Sequence, residues 1–293
     1  MGNILKETIA IINKNLWLLF LFMTVSYFGL VYFSMLKGAA DTLPKMLFGL
    51  VTLFLIIIVG IAGFFSTLRT TVDVETSVSN KENVEIIKAF PKGVADYFGS
   101  ASGIVFIYMI ISALMLWVTY LLGVKFVGMF SFSMKDFSDS LISMDKLTNF
   151  MQSISVEDFF KLTKWHLIYV GTSSVVTFLL LYWLPETFYS TKNPFLSLFE
   201  AIKKSILNPL KTLGLFFTIV LINFAVSILM SIMLPIPVLS LFIYFVYFYG
   251  LLFIMALTFN YYRTLFIYQP VANKNKDEFV KEDSESEDVS EEE

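Results

Sequence analysis

Apolar positions gather into six long runs along the chain, at about 16–36, 46–68, 97–123, 165–184, 212–234 and 238–263. None carries Asp, Glu, Lys or Arg through its middle, and each approaches or exceeds the ~20 residues a helix needs to cross the hydrocarbon core. The pattern predicts an all-α membrane protein with six transmembrane helices. A different period appears at Phe195, Leu198, Phe199, Ile202 and Ile206, which repeat at helical spacing on one side of an amphipathic helix. Lys203, Lys204 and Lys211 fall mostly off that stripe, and Asn208-Pro209 interrupts it before the fifth run. The expected local structure is an interfacial helix, a corner, and then a spanning helix.

That unit recurs. Glu200–Asn208 reads EAIKKSILN, Glu7–Asn15 reads ETIAIINKN, and Glu85–Gly93 reads EIIKAFPKG. Each begins with Glu, has Ile two residues later and ends in Asn or Gly, residues that accept a helix-ending conformation. Ile111-Ser-Ala-Leu-Met115 and Val226-Ser-Ile-Leu-Met230 add a match at the offset of the second and third copies. The expected plan is three repeats, each an interfacial amphipathic helix plus a two-helix hairpin, with corners at Asn15, Gly93 and Asn208.

Basic residues set the expected orientation. With the N-terminus inside, inner segments hold 14 Lys and Arg and outer segments hold 7, which predicts both termini in the cytoplasm of a cell membrane. The first run has no small-residue cleavage site, so no removable signal peptide is expected. The six-span membrane domain should cover 1–269. Its one large outer segment, 131–164, carries cap signals at Ser143 and at Ser155 with Asp158, which predict two short amphipathic helices. Leu234-Pro235-Ile236-Pro237 predicts a tight hairpin between the last two spans. The remainder, 270–293, reads as a disordered acidic cytoplasmic tail. From Lys274 onward three Lys face ten Asp and Glu, a net of −7, which leaves +4 on the rest of a chain whose total is −3.

Composition narrows the chemistry. The chain is 57% hydrophobic and 15% charged, with 32 Phe and no Cys. So much apolar surface requires lipid as its solvent, and no Cys-ligated metal or cluster can form. His166 is the one histidine, beside Trp165 at a span edge, so no metal site is expected. Asn223 is the one clearly central amide and is expected to make an interhelical hydrogen bond, with a substrate contact as the alternative. Glu186, Asp96 and Arg263 fall near inner span ends and are expected to form an ion-pair layer, with a gate as the alternative. Trp17, Trp165 and Trp183 should act as interfacial anchors. Tyr244, Tyr247, Tyr249, Tyr261 and Tyr262 should serve packing and the aromatic belt. No phosphate loop or serine elbow occurs, and no face interleaves basic and aromatic residues for nucleic acid. Accordingly no catalytic residue, cofactor or metal is expected, and no substrate-binding residue is assigned.

The Glu200–Asn208 unit and the Asn260-Tyr-Tyr-Arg263 end of the sixth run resemble a loose group of uncharacterised bacterial six-span membrane proteins. That group is similar to the membrane domain of glycerophosphodiester phosphodiesterases. The resemblance covers mostly the last hundred residues and implies a membrane fold without the phosphodiesterase catalytic domain. The Ile-, Lys-, Asn- and Phe-rich composition is similar to that of a low-GC Gram-positive bacterium. The expected function is a non-enzymatic scaffold or accessory subunit in the lipid bilayer, with a protein partner met through the acidic tail or the inner amphipathic helices. A transport component, such as the permease partner of a separate ATPase, is the alternative, with the helices at Glu85 and Glu200 as coupling helices. A lipid-handling protein is the third reading.

Overall fold

The computed structural model describes residues 1–39, 42–76, 83–140, 143–233 and 240–268. The expected hairpin at Leu234–Pro237 and the expected acidic tail from 270 lie outside the described residues. Those residues fold as helices joined by short turns, and six helices are long and apolar enough to cross a membrane. The protein is therefore a multi-pass, all-α membrane protein. The chain divides into two compact units, Met1–Ile104 with Leu180–Glu293, and Val105–Leu179.

The first unit opens with α1 (Gly2–Lys14), which buries Thr8, Ile11 and Ile12 and ends at Asn15. There the backbone turns to φ −119° and ψ 45°, and the Asn15 amide group donates back to the Ile11 carbonyl at 2.9 Å. Two residues on, α2 (Trp17–Ala39) begins, and it pairs with α3 (Leu43–Thr76) as a hairpin. At 34 residues α3 is longer than the expected 46–68 span and carries Arg69, Asp73 and Glu75 past the apolar run.

The corner expected at Gly93 does not form. The helix α4 (Asn83–Phe126) runs 44 residues without a break, with Pro91 inside it. Gly93 serves close packing instead: a Cβ there would sit 2.9 Å from the Ala62 carbonyl and collide with the Ser66 side chain. The structure uses that glycine for its missing side chain rather than for its freedom to end a helix. About 66 Å of helix at 1.5 Å per residue is more than twice the hydrocarbon thickness, so α4 extends well beyond it.

The second unit contains the latter part of α4, then α5 (Met134–Ser140), α6 (Met144–Ser153) and most of α7 (Val156–Leu180). The Ser143 hydroxyl accepts from the Lys146 amide, as its cap signal predicts. Half of the expected capping box forms: the Asp158 N–H donates to Ser155 Oγ at 3.1 Å, while the Asp158 carboxylate accepts from the Ser155 hydroxyl at 3.0 Å rather than from its backbone N–H. The box does not start a short surface helix, however. It starts α7, because the apolar positions continue in helical register from Phe159 into the span. Ser131 also donates its N–H and hydroxyl to Asp158, and Phe130, Phe132, Phe137 and Phe150 pack in a chain of ring contacts that reaches Trp165. Thr119 and Thr172 bridge α4 and α7 at 2.7 Å.

Back in the first unit, α8 (Trp183–Tyr189) follows a two-residue turn. The Asn193 side chain then caps α9 (Pro194–Leu207) by accepting from the Phe195 and Leu196 amides at 3.0 and 3.2 Å. α9 turns Ser197, Ala201 and Ser205 inward, while Phe195, Phe199 and Ile206 are exposed. The amphipathic stripe thus faces away from the protein, as an interfacial helix resting on lipid requires. Asn208 ends α9 with φ −122° and ψ 55°, nearly the Asn15 conformation, and its amide likewise donates to the carbonyl four residues back, Lys204, at 3.2 Å. Then α10 (Pro209–Met233) and α11 (Ser240–Tyr262) form the second hairpin, and α11 runs into a π-helical turn at Arg263–Tyr268. α11 is the central helix of the unit, packing on α1, α2, α3, α8 and α10. Phe65 and Phe259 stack at 5.7 Å and 11° where α3 meets α11.

Candidate functional site

The apolar core gives way to charge at one end of the first unit, where α3, α8, α9 and α11 converge. Two linked clusters form there. In one, the Glu186 carboxylate accepts from the Lys204 ammonium and from the Tyr262 hydroxyl. Lys204 also lies 2.7 Å from the Tyr262 oxygen, and Ser190 lies 2.9 Å from it. Glu186 is 3% exposed and Tyr262 fully buried. In the other cluster, Asp73 Oδ1 lies 2.9 Å from Arg263 Nε and accepts from the Tyr189 hydroxyl at 3.2 Å, while Asp73 Oδ2 lies 3.6 Å from Arg69 Nε. Arg69 also donates to the Tyr97 hydroxyl at 2.7 Å and to the Phe188 carbonyl. Stacked Tyr189 and Tyr262 rings, 5.9 Å apart, join the two clusters.

The helix contacts explain why these groups can be buried. α8 is docked on α9 by hydroxyls: Thr187 and Ser197 meet at 2.7 Å, and the Trp183 indole donates to the Pro194 carbonyl at 3.0 Å and to Ser197 at 3.2 Å. That docking sets Glu186 opposite Lys204. A third polar contact ties α1 to α11, with the Asn260 amide 3.2 Å from Thr8 Oγ1 and 3.3 Å from a Glu7 oxygen. A fourth ties the α1 corner to the end of α3, where Glu75 accepts from Asn15 at 2.9 Å and pairs with Lys14. The two charges removed from water, Glu186 and Arg263, are tolerable because each has an opposite charge and a further hydrogen bond, from Tyr262 and to Tyr268, while Lys204 is 24% and Asp73 39% exposed.

The expected ion-pair layer therefore exists, with a different membership. Glu186 and Arg263 are in it, but in separate pairs. Asp96 lies outside it and forms a loose, exposed pair with Lys192 at 3.9 Å. Two other expectations fail. Asn223 makes no interhelical hydrogen bond among the described residues, because it lies on an exposed face of α10. Trp183 is not an interfacial anchor: it is 3% exposed and bonded to α9. The tyrosines divide, Tyr261 and Tyr262 being buried and Tyr244 and Tyr247 exposed. His166 is exposed, and no group of three or more His, Cys, Asp or Glu among the described residues is arranged to hold a metal.

Arg69, Asp73, Lys204 and Tyr262 were not singled out from the sequence as site residues. A readable signal did exist. Phe65…Arg69-Thr70, Tyr182…Glu186-Thr187 and Phe259…Arg263-Thr264 share one spacing: an aromatic residue, three positions, a charge, then Thr. Each of the three Thr hydroxyls donates to the carbonyl four residues back, at 2.9, 2.9 and 2.8 Å. No protein-family model, curated protein or solved structure matches this chain.

Proposed function

We propose that the protein is a non-enzymatic scaffold or accessory subunit of a bacterial cell membrane, with both termini cytoplasmic and the charged end of the first unit on the cytoplasmic side. The observation that carries this reading is how the ionic groups are used. Glu186, Lys204, Asp73 and Arg263 are directed at one another and at tyrosine hydroxyls, tying four helix ends together. Glu186 and Lys204 face each other and Tyr262, and Asp73, although 39% exposed, is held by Arg263 and Tyr189, which supports a structural use of these charges. The orientation rests on the 14 against 7 split of basic residues.

The proposal includes three repeats. The corner-to-charge separation is 54 residues from Asn15 to Arg69 and 55 from Asn208 to Arg263. From Gly93 to Glu186 it is 93, longer by about the length of the 131–164 segment. The middle repeat is thus read as the same unit with that segment inserted and its corner straightened. Kinship with uncharacterised bacterial six-span proteins is part of the proposal, through the Asn260–Arg263 end of α11. The partner is a protein met through the acidic tail. The test is affinity capture of the full chain and of a chain truncated after Tyr268, each from native membranes. Partners retained by the full chain and lost by the truncated one support the reading; identical sets of partners sink it. A second reading, the permease partner of an ATPase, is favoured by α9, a short helix with Lys203 63% exposed. ATP hydrolysis co-purifying with the protein and lost in Lys203→Glu would replace the first reading with the second.

A further inference from the structure

Asn223 is the fifteenth of 25 residues in α10, deep in a span. Its side chain is exposed and bonds to no described residue. Hydroxyls exposed on spans resolve the same difficulty locally: Thr52, Ser102, Thr218 and Ser231 each donate to the carbonyl four residues back, at 2.7–2.9 Å. Asn223 does not. A primary amide brings two donors and an acceptor, and hydrocarbon offers it neither water nor a polar partner.

We propose that this face of α10 pairs with α10 of a second copy of the chain, amide against amide at Asn223. Two copies inserted in the same orientation are related by an axis along the membrane normal. Such an axis brings identical residues together at identical depth. A foreign helix would need a polar group at that level, whereas a second copy carries one there by symmetry. The amide is also self-complementary: each Asn223 donates to the other's carbonyl oxygen. Flanking residues allow the approach, because Val220, Ser227 and Ser231 lie on the same side, are exposed, and are small.

The absence of native cysteine makes the test clean. Ser227→Cys, on the proposed face, and Leu221→Cys, on another exposed face, are each oxidised in native membranes. With one cysteine per chain no intramolecular disulfide can form, and a covalent product of twice the chain's mass containing only this chain reports contact between two copies. Ser227→Cys should reach a covalent dimer at least tenfold faster than Leu221→Cys. Adding Asn223→Leu should slow that cross-linking about tenfold, and Asn223→Gln should largely keep it. The thermal midpoint of the monomer should not fall in Asn223→Leu. Equal cross-linking at the two positions, or a rate unchanged by Asn223→Leu, overturns the proposal. So does a lowered monomer midpoint without any dimer in the parent, since the amide would then be satisfied within its own chain.

Discussion

Glu186 has given up nearly all of its water, and the Lys204 ammonium and the Tyr262 hydroxyl stand in for it. Removing one charge strands the other, and that loss exceeds what the pair contributes net. Glu186→Ala is therefore expected to destabilise the folded protein by about 3 kcal/mol, and Lys204→Met by somewhat less because Lys204 is 24% exposed. The double variant should recover a good part of the loss. Unfolding in detergent, followed for all four members of the cycle, measures this; additive losses would mean that the two groups do not act as a pair. Gly93 makes an independent residue-scale case, because the obstacle beside it includes the rigid Ala62 carbonyl as well as the Ser66 side chain. Gly93→Leu should cost about 2 kcal/mol or more by overpacking the contact between α3 and α4. Gly99, which has open space where its Cβ would be, is the matched control and should accept Ala.

The two corners that form have almost the same backbone and the same returned hydrogen bond, yet they should not be equally sensitive. Asn15 is buried and holds Glu75 on α3 as well as its own helix end. Asn208 is half-buried, and its amide reaches only the Lys204 carbonyl. Asn15→Ala is expected to cost about 2 kcal/mol and Asn208→Ala about 0.5 kcal/mol. Chemical unfolding of the two variants checks the order, and a larger loss at Asn208 would refute the assignment of the Glu75 contact. These corners were legible in the sequence because they depend on local chemistry, an amphipathic run closed by Asn. The Gly93 corner was misread because glycine is ambiguous: it ends helices and it also lets helices touch, and only its neighbour across the interface, Ser66, decides between the two. The Val156 start of α7 was misread for a related reason. A capping box fixes where a helix begins, but the length depends on apolar register carried further along the chain. The Asp73–Arg263 pair was illegible because it joins helices far apart in sequence, and the Glu186–Lys204 pair because it depends on the angle at which the consecutive helices α8 and α9 dock. Exposure on α10 is likewise a tertiary property, which is why Asn223 was given a partner it lacks.

Six candidate spans among the described residues carry an expectation for the whole molecule: an even number of crossings, and alternating sides for successive connections. If all six candidate helices cross, four spans separate α1 from α9, so the two amphipathic helices are expected on one face of the membrane and Lys146, between spans three and four in the chain, is expected on the other. The absence of native cysteine allows one reporter per protein. Lys6→Cys, Lys203→Cys and Lys146→Cys replace exposed side chains and should leave the fold intact. With a membrane-impermeant maleimide on intact cells, Lys146→Cys is expected to label, and Lys6→Cys and Lys203→Cys only after the membrane is opened, because basic residues gather on the cytoplasmic side. If Lys6 and Lys203 label together and Lys146 does not, the six-span fold survives and only its orientation is reversed. If Lys6 and Lys203 label from opposite faces, one of the four intervening helices does not cross. The charge network could not then collect the ends of α3, α8, α9 and α11 on one side of the bilayer, and the roles argued for Glu186 and Arg263 would fall with it.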